Sequence, residues 1–159
     1  LKPMVYLINL DASSFKRKGN KWLVPIQDWV TTHGGGTVIP FSVEWEQGLW
    51  AVRDDSAAKE AYLSEVPNLK SVLPRIVKVG YNVLNLQYFF TVGETEVRCW
   101  TIPAGATAPE AAGAIHSDFE RGFIKAEVVS FSDFKELCAG QKSMANIKAA
   151  GKYRQEGRN

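Results

Sequence analysis

Asn9 closes the apolar run Met4-Val5-Tyr6-Leu7-Ile8-Asn9-Leu10, and Asp11, Ser13 and Ser14 follow within five residues. If the run is a parallel strand, Asn9 stands at its carboxyl edge, where α/β sheets place their ligands. Its carboxamide can there donate to a purine N7 and accept from an exocyclic amine. The same residues also have a purely structural use, Asn9 as a strand cap and Asp11 with Ser13 as helix caps. A strand-asparagine signal is weak by itself, and both readings stand open on these residues alone.

Other residues that could do chemistry are sparser. Gly34-Gly35-Gly36 runs into Thr37 with no lysine, and the G-x-x-x-x-G-K-[ST] pattern that cradles phosphates occurs nowhere in the chain. The triple glycine reads as a helix stop and flexible loop. His33 and His116 both fall at expected helix ends with no nucleophile beside them, so each reads as a partner for last-turn carbonyls. Cys99 and Cys138 form no C-x-x-C pair and have no histidine at metal-ligand spacing, which implies neither a zinc site nor a disulfide framework and suits a reducing, cytoplasmic setting. Two basic groups stand out: Lys16-Arg17-Lys18 with Lys21, and Lys142, Lys148, Lys152, Arg154 and Arg158. Either is read as a solvated face or, for Lys152-Tyr153-Arg154, as two cations around an aromatic that suit phosphate contact and base stacking in RNA.

The chain as a whole limits these options. Its 159 residues are 45% hydrophobic, enough for one ordinary core or two small ones, and a net charge of +2 gives no strong sequence-independent grip on nucleic acid. No apolar run approaches the roughly 20 residues of a membrane span, so a soluble protein is expected. The start lacks an initiator methionine and enters a strand abruptly, while Gly151 to Asn159 ends in a turn-like context; both ends read as truncations.

The elements that position the candidate residues follow from period and punctuation. Met4 to Leu10 reads as a central parallel strand. A helix is expected from about Phe15, kinked or restarted at Pro25 and stopped at His33-Gly34-Gly35-Gly36, and Thr37 to Phe41 reads as the second strand of one α/β unit. Short helical pieces follow from Val43 and over Lys59 to Ser64, then a longer amphipathic one over Leu69 to Leu84 carrying Leu73, Ile76, Val77, Tyr81 and Leu84, with Pro74 in its first turn. Leu86 to Val92 and Glu96 to Ile102 form a hairpin around Gly93-Glu94-Thr95. Ala108 to about Phe119 reads as a helix broken at Gly122, Phe123 to Phe131 as a strand with Ile124, Ala126 and Val128 alternating, and Ser132 and Ser143 as starts of short helices. Residues 1 to 85 are thus expected to be α/β and residues 86 to 159 α+β.

Two blocks resemble a known family. Tyr6-Leu7-Ile8-Asn9-Leu10, Asn20-Lys21-Trp22-Leu23 and Val38-Ile39-Pro40-Phe41-Ser42 look like the last third of the nucleotide-binding domain of Obg-like (YchF-type) ATPases. Tyr88-Phe89-Phe90-Thr91-Val92-Gly93, Glu96 to Ile102 and Ala108 to Val128 resemble that family's C-terminal TGS-like domain, and Ala149 to Asn159 extends the likeness.

The resemblance implies a fold: the α/β remnant of a P-loop NTPase domain with connecting helices over 1 to 85, then a ubiquitin-like (TGS) β-grasp domain over 86 to 159. It implies an intact protein that binds and hydrolyses ATP with magnesium, GTP less well, and that associates with the ribosome. It places the P-loop, the magnesium ligands and a helical hairpin upstream of residue 1, so the fragment is expected neither to hydrolyse ATP nor to bind it tightly. Asn9 and Leu10, the latter as an apolar contact on one face of the base, and the loop Phe41-Ser42-Val43, through its backbone, are the implied nucleotide residues.

Guanine-specific relatives carry Asn-Lys-x-Asp, whose aspartate accepts from the guanine N1 and N2 hydrogens; here the four residues are Asn9-Leu10-Asp11-Ala12, and Obg-like members usually carry glutamate at the place of Ala12. Losing a buried polar pairing of that kind can cost a factor of ~10⁴ in selectivity, which favours adenine. The alternative is a TGS-type module that binds RNA or protein through Lys152, Tyr153, Arg154 and Arg158 and has no nucleotide role in the fragment. A TGS domain ending at Asn159 would also expose a sheet edge through which two copies could pair.

Overall fold

The computed structural model describes residues 2–93, 95–138 and 145–158; Glu94 of the expected hairpin loop, Lys142, and the Ser143 start of the expected last helix lie outside them. The chain divides into two compact units, Leu1–Leu84 and Asn85–Asn159, with mixed helix and strand in each. Among the described residues no helix is long and apolar enough to cross a membrane.

In the first unit β1 (Val5–Asn9) and β2 (Thr37–Phe41) pair in parallel, with Val5 opposite Thr37 and Asn9 opposite Phe41. Among the described residues β1 has this one neighbour, not the two of a central strand, and Leu7 is accordingly exposed. The link between them begins with α1 (Ala12–Lys16), three residues before the expected start, because Asp11 is its N-cap. Its carboxylate accepts from the Ser13 hydroxyl at 2.6 Å and the Ser14 N–H at 2.8 Å. The helix then restarts as α2 (Leu23–Thr32), with Pro25 in the first turn, where its missing N–H leaves no intrahelical bond unmade. His33 ends α2 with its ring Nδ1 2.8 Å from the Trp29 carbonyl oxygen and its ring stacked on Trp29. At Gly36, φ is +140° and a Cβ would meet the Tyr6 ring at 2.9 Å, so this position needs glycine for both backbone and space.

Ser42 caps α3 (Val43–Ala51), accepting from the Trp45 N–H at 3.3 Å, and α4 (Ser56–Ser64) and α5 (Leu73–Val83) follow. Trp45, fully buried, joins Leu10, Phe15 and Leu69 in the core of this unit, with Tyr62 tilted against its ring at 4.5 Å. Tyr62 donates to the Trp45 carbonyl at 3.2 Å, and Gly48 of α3 is what lets it pass, since a Cβ there would overlap its hydroxyl. The buried Glu46 carboxylate accepts from the Ser71 hydroxyl and the Val72 N–H, fixing the start of α5 four residues later than Leu69. The apolar stripe expected on this helix is present, but Leu73, Val77 and Leu84 are exposed.

In the second unit β3 (Leu86–Val92) and β4 (Val97–Pro103) form the antiparallel hairpin, Val92 opposite Val97. Thr107 and Glu110 open α6 (Ala108–Ile115), the carboxylate accepting from the Thr107 N–H and hydroxyl. The expected single helix breaks at His116, which is extended, and restarts as α7 (Ser117–Arg121). The His116 backbone N–H still serves the last-turn Ala112 carbonyl at 3.2 Å, but its ring does not: Nδ1 accepts from the Asp118 N–H at 3.1 Å and caps the next helix. The third strand shrinks to β5 (Ala126–Val128), with Phe123 buried before it and Phe131 already opening α8 (Phe131–Cys138). After α9 (Ala145–Ala149), the segment read as turn-like holds β6 (Arg154–Glu156), antiparallel to β5. Among the described residues of this unit, Ile102, Phe123, Cys138 and Ile147 are the buried apolar side chains.

Two outcomes follow from the first unit. Trp45→Ala should lower the unfolding free energy by about 3–5 kcal/mol, and Trp45→Phe by much less, because the buried indole N–H has no partner among the described residues; chemical denaturation checks both. The Ser13 hydroxyl, then the Ser14 hydroxyl and N–H, hold the Asp11 carboxyl well below the usual carboxylate range. A depressed folded-state value means that its contribution is complete above the unfolded value, and is lost as pH falls below about 4. Asp11→Asn keeps a cap but does not titrate, so its thermal midpoint should decline less than the parent's from pH 5 to pH 2.5.

Candidate nucleotide-base site

The carboxyl ends of β1 and β2 bring together the two loops that the sequence singled out. They are tied by three long-range hydrogen bonds. The Leu10 N–H donates to the Phe41 carbonyl at 2.9 Å, continuing the strand ladder by one residue. The Asn9 side-chain oxygen accepts from the Val43 N–H at 3.0 Å. In the opposite direction, the Ala12 N–H donates to the Glu44 carboxylate at 2.9 Å. The pairing is reciprocal: a side chain of the first loop takes a backbone amide of the second, and a side chain of the second takes one of the first.

This brace assigns the orientation of the Asn9 carboxamide. A backbone N–H can only donate, so the atom facing Val43 is the oxygen, and the amide nitrogen is turned the other way with two hydrogens to give. Asn9 is exposed at the carboxyl end of β1, so those donors face solvent. The arrangement presents a positioned donor suited to a purine N7.

The other expected residues have different fates. Leu10 is buried in the cluster with Phe15, Trp45 and Leu69, so its side chain packs in the core of this unit. Ser42 is fully buried and its hydroxyl is spent on the cap of α3. The Phe41 carbonyl and the Val43 N–H are each engaged across the brace, while the Val43 side chain is exposed. Glu44 is the residue that sequence reasoning missed. Only its place in the first turn of a helix hinted at a role, and its partner lies 32 residues away.

The basic group of the second unit is largely committed to its own fold. Lys152 lies 3.4 Å from Asp133 and Arg154 4.0 Å from Glu156. The Arg158 guanidinium donates to the Phe123 carbonyl at 2.6 Å and the Arg121 carbonyl at 2.9 Å, closing the C-terminal segment onto the start of β5. Tyr153 is half-buried beneath Lys148, whose ammonium stands 5.9 Å from the ring centroid. In the first group, Lys16 is paired with Glu65 and Lys21 lies over Trp22.

The family model YchF-GTPase_C, described as a protein of unknown function (DUF933), matches residues 86–159. Obg-like ATPase 1 of Xenopus laevis is 53% identical over 159 residues, that of Oryza sativa subsp. indica 52% over 157, and that of Homo sapiens 50% over 159. Each alignment covers 99% of this chain and 38% of the relative, so the chain spans under two fifths of their length. The solved structure of the Schizosaccharomyces pombe YchF GTPase superposes with a TM-score of 0.84 at 39% identity, over 99% of this chain and 40% of that one. At such identity across both units, the chain belongs to the C-terminal part of the Obg-like (YchF-type) ATPase family.

Proposed function

We propose that this chain supplies the base-binding end of the nucleotide site of an Obg-like ATPase, whose intact form binds and hydrolyses ATP with magnesium, and GTP less well. In this reading residues 1–85 are the C-terminal portion of the P-loop domain with its connecting helices, and residues 86–159 are a TGS-like β-grasp domain through which the protein meets the ribosome. The observation that carries it is the Asn9 carboxamide, held by the Val43 N–H so that its amide donors face outward at the carboxyl end of a parallel strand. The loop Phe41-Ser42-Val43 lies beside it, Phe41 opposite Asn9 in the strand register and the Val43 N–H on the Asn9 oxygen. The donor set fits a purine and not a polyphosphate: no lysine follows Gly34-Gly35-Gly36, and phosphates and magnesium fall in this reading to residues outside the 159. Hydrolysis is accordingly a property of the intact protein.

Calorimetric titration tests it. The chain alone should bind ATP weakly, and the chain joined to the family's upstream phosphate-binding segment should bind it well. Asn9→Ala in the joined protein should weaken ATP about tenfold or more, the loss of one positioned hydrogen bond to a desolvated acceptor. Equal affinity of the Asn9→Ala and parent proteins would remove the reading.

A second reading is favoured by one observation in the other unit: Lys148, Tyr153, Lys152 and Arg154 gather around α9 and β6. It makes this unit a TGS-type module that docks on RNA or protein, with the nucleotide-binding part controlling the docking. Reversal of both charges in Lys152→Glu with Arg154→Glu should then reduce affinity for ribosomes or structured RNA several-fold at low salt and flatten the salt dependence. Unchanged affinity, in a variant whose circular dichroism matches the parent, would discard it.

A further inference from the structure

We infer that Glu44 is a specificity determinant of the base site: its carboxylate is the acceptor through which this site admits guanine beside adenine. The inference rests on the reading of the Asn9 cleft as base-binding. From the sequence, guanine loses its acceptor because position 12 is alanine. The fold returns a carboxylate to that place from a different element. Glu44 reaches from the first turn of α3 to the backbone amide of Ala12, with its oxygen 2.9 Å from the nitrogen.

The geometry leaves that carboxylate able to do more than brace. One oxygen takes the Ala12 N–H, and an ionised carboxylate has about four lone-pair sites. Among the described residues no lysine, arginine or histidine forms an ion pair with it, unlike Glu65, Asp118 and Asp133 elsewhere in the chain. It is exposed, as is Asn9, and the two are neighbours because Val43 and Glu44 are consecutive and contact Asn9 and Ala12 respectively. The carboxyl end of β1 therefore carries one donor, the Asn9 amide, beside one acceptor fork, the Glu44 carboxylate.

Base chemistry decides what such a pair distinguishes. N7 is an acceptor in both purines, so the Asn9 donor serves either. Guanine alone carries two adjacent parallel donors, N1–H and N2–H, which a carboxylate accepts in bidentate fashion. Adenine presents an acceptor at N1, which a carboxylate repels. Glutamine at position 44 keeps an oxygen for the Ala12 N–H but sets N–H donors or a single acceptor against guanine, so the brace and the base reading can be separated.

The test is a ¹⁵N NMR titration of the 159-residue chain with adenosine 5′-monophosphate and guanosine 5′-monophosphate, following the Asn9 side-chain amide and the Ala12 and Val43 backbone amides. Both nucleotides should shift these signals in the parent. Glu44→Gln should weaken guanosine monophosphate about tenfold, within the ~1–3 kcal/mol of a bidentate base contact, while the adenosine nucleotide holds or tightens. Glu44→Ala should give the same change in ratio, with an additional shift of the Ala12 amide from loss of the brace. A guanine-to-adenine ratio unchanged by either substitution would overturn the role of Glu44 and leave the Asn9 cleft standing. A parent chain that binds only the adenosine nucleotide would overturn it likewise. If neither nucleotide moves the Ala12 and Val43 amides, the base-binding reading itself falls, and this inference with it.

Discussion

Two backbone amides, Val43 N–H and Ala12 N–H, are satisfied by side chains from opposite loops, and the first unit is organised around that exchange. A net worth of about 0.5–3 kcal/mol for each bond, the upper end applying to the charged acceptor, is modest for stability. Its larger effect is positional. Once Val43 is tied to the end of β1, the first turn of α3 can start in one place only, with Ser42 as its cap, and Trp45 is thereby delivered to the core against Leu10, Phe15 and Leu69. One residue further, Glu46 turns inward and takes the Ser71 hydroxyl and Val72 N–H, so the same helix sets the start of α5. A bond at the end of β1 and a tryptophan in the core are consecutive consequences of one helix start.

Much of this could be seen in the residues before any fold was known. The run ending at Asn9, the triple-glycine stop, the β-branched Thr37 to Phe41 and the hairpin flanking Gly93 are local signals, and the elements lie close to where they point. What escaped was decided by partners distant in sequence or by competing local bonds. Asp11 moved a helix start because its carboxylate had two donors within three residues. His116 broke a helix because its ring could accept the Asp118 N–H in an extended conformation that no propensity scale registers. The alternation through Ile124, Ala126 and Val128 was real, but Ile124 is left almost wholly exposed and pairing begins only at Ala126, opposite Glu156. Leu10 is implied as a base contact by the family resemblance; alternation along the chain packs its side chain with Phe15, Trp45 and Leu69. Glu44 was invisible because nothing in its neighbourhood refers to residue 12.

The second unit shows how charge read from sequence changes meaning in the fold. Lys152, Arg154 and Arg158 form a basic stretch on paper, yet Arg158 gives its guanidinium to two carbonyls at the entry to β5 and the other two stand beside carboxylates. The Ser130 hydroxyl, with Lys152 as a smaller contributor, holds the Asp133 carboxyl below its usual range, so the acid remains a charged partner at neutral pH. These exposed pairs are each worth little in stability. They do set the local field: a polyanion approaching Lys152 or Arg154 meets Asp133 or Glu156 as well, whereas Lys148 is held over the Tyr153 ring. Among the described residues, a grip on phosphate at this end would draw on Lys148 and on displacement of the acidic partners, which makes it dependent on salt and shape more than on the count of basic residues.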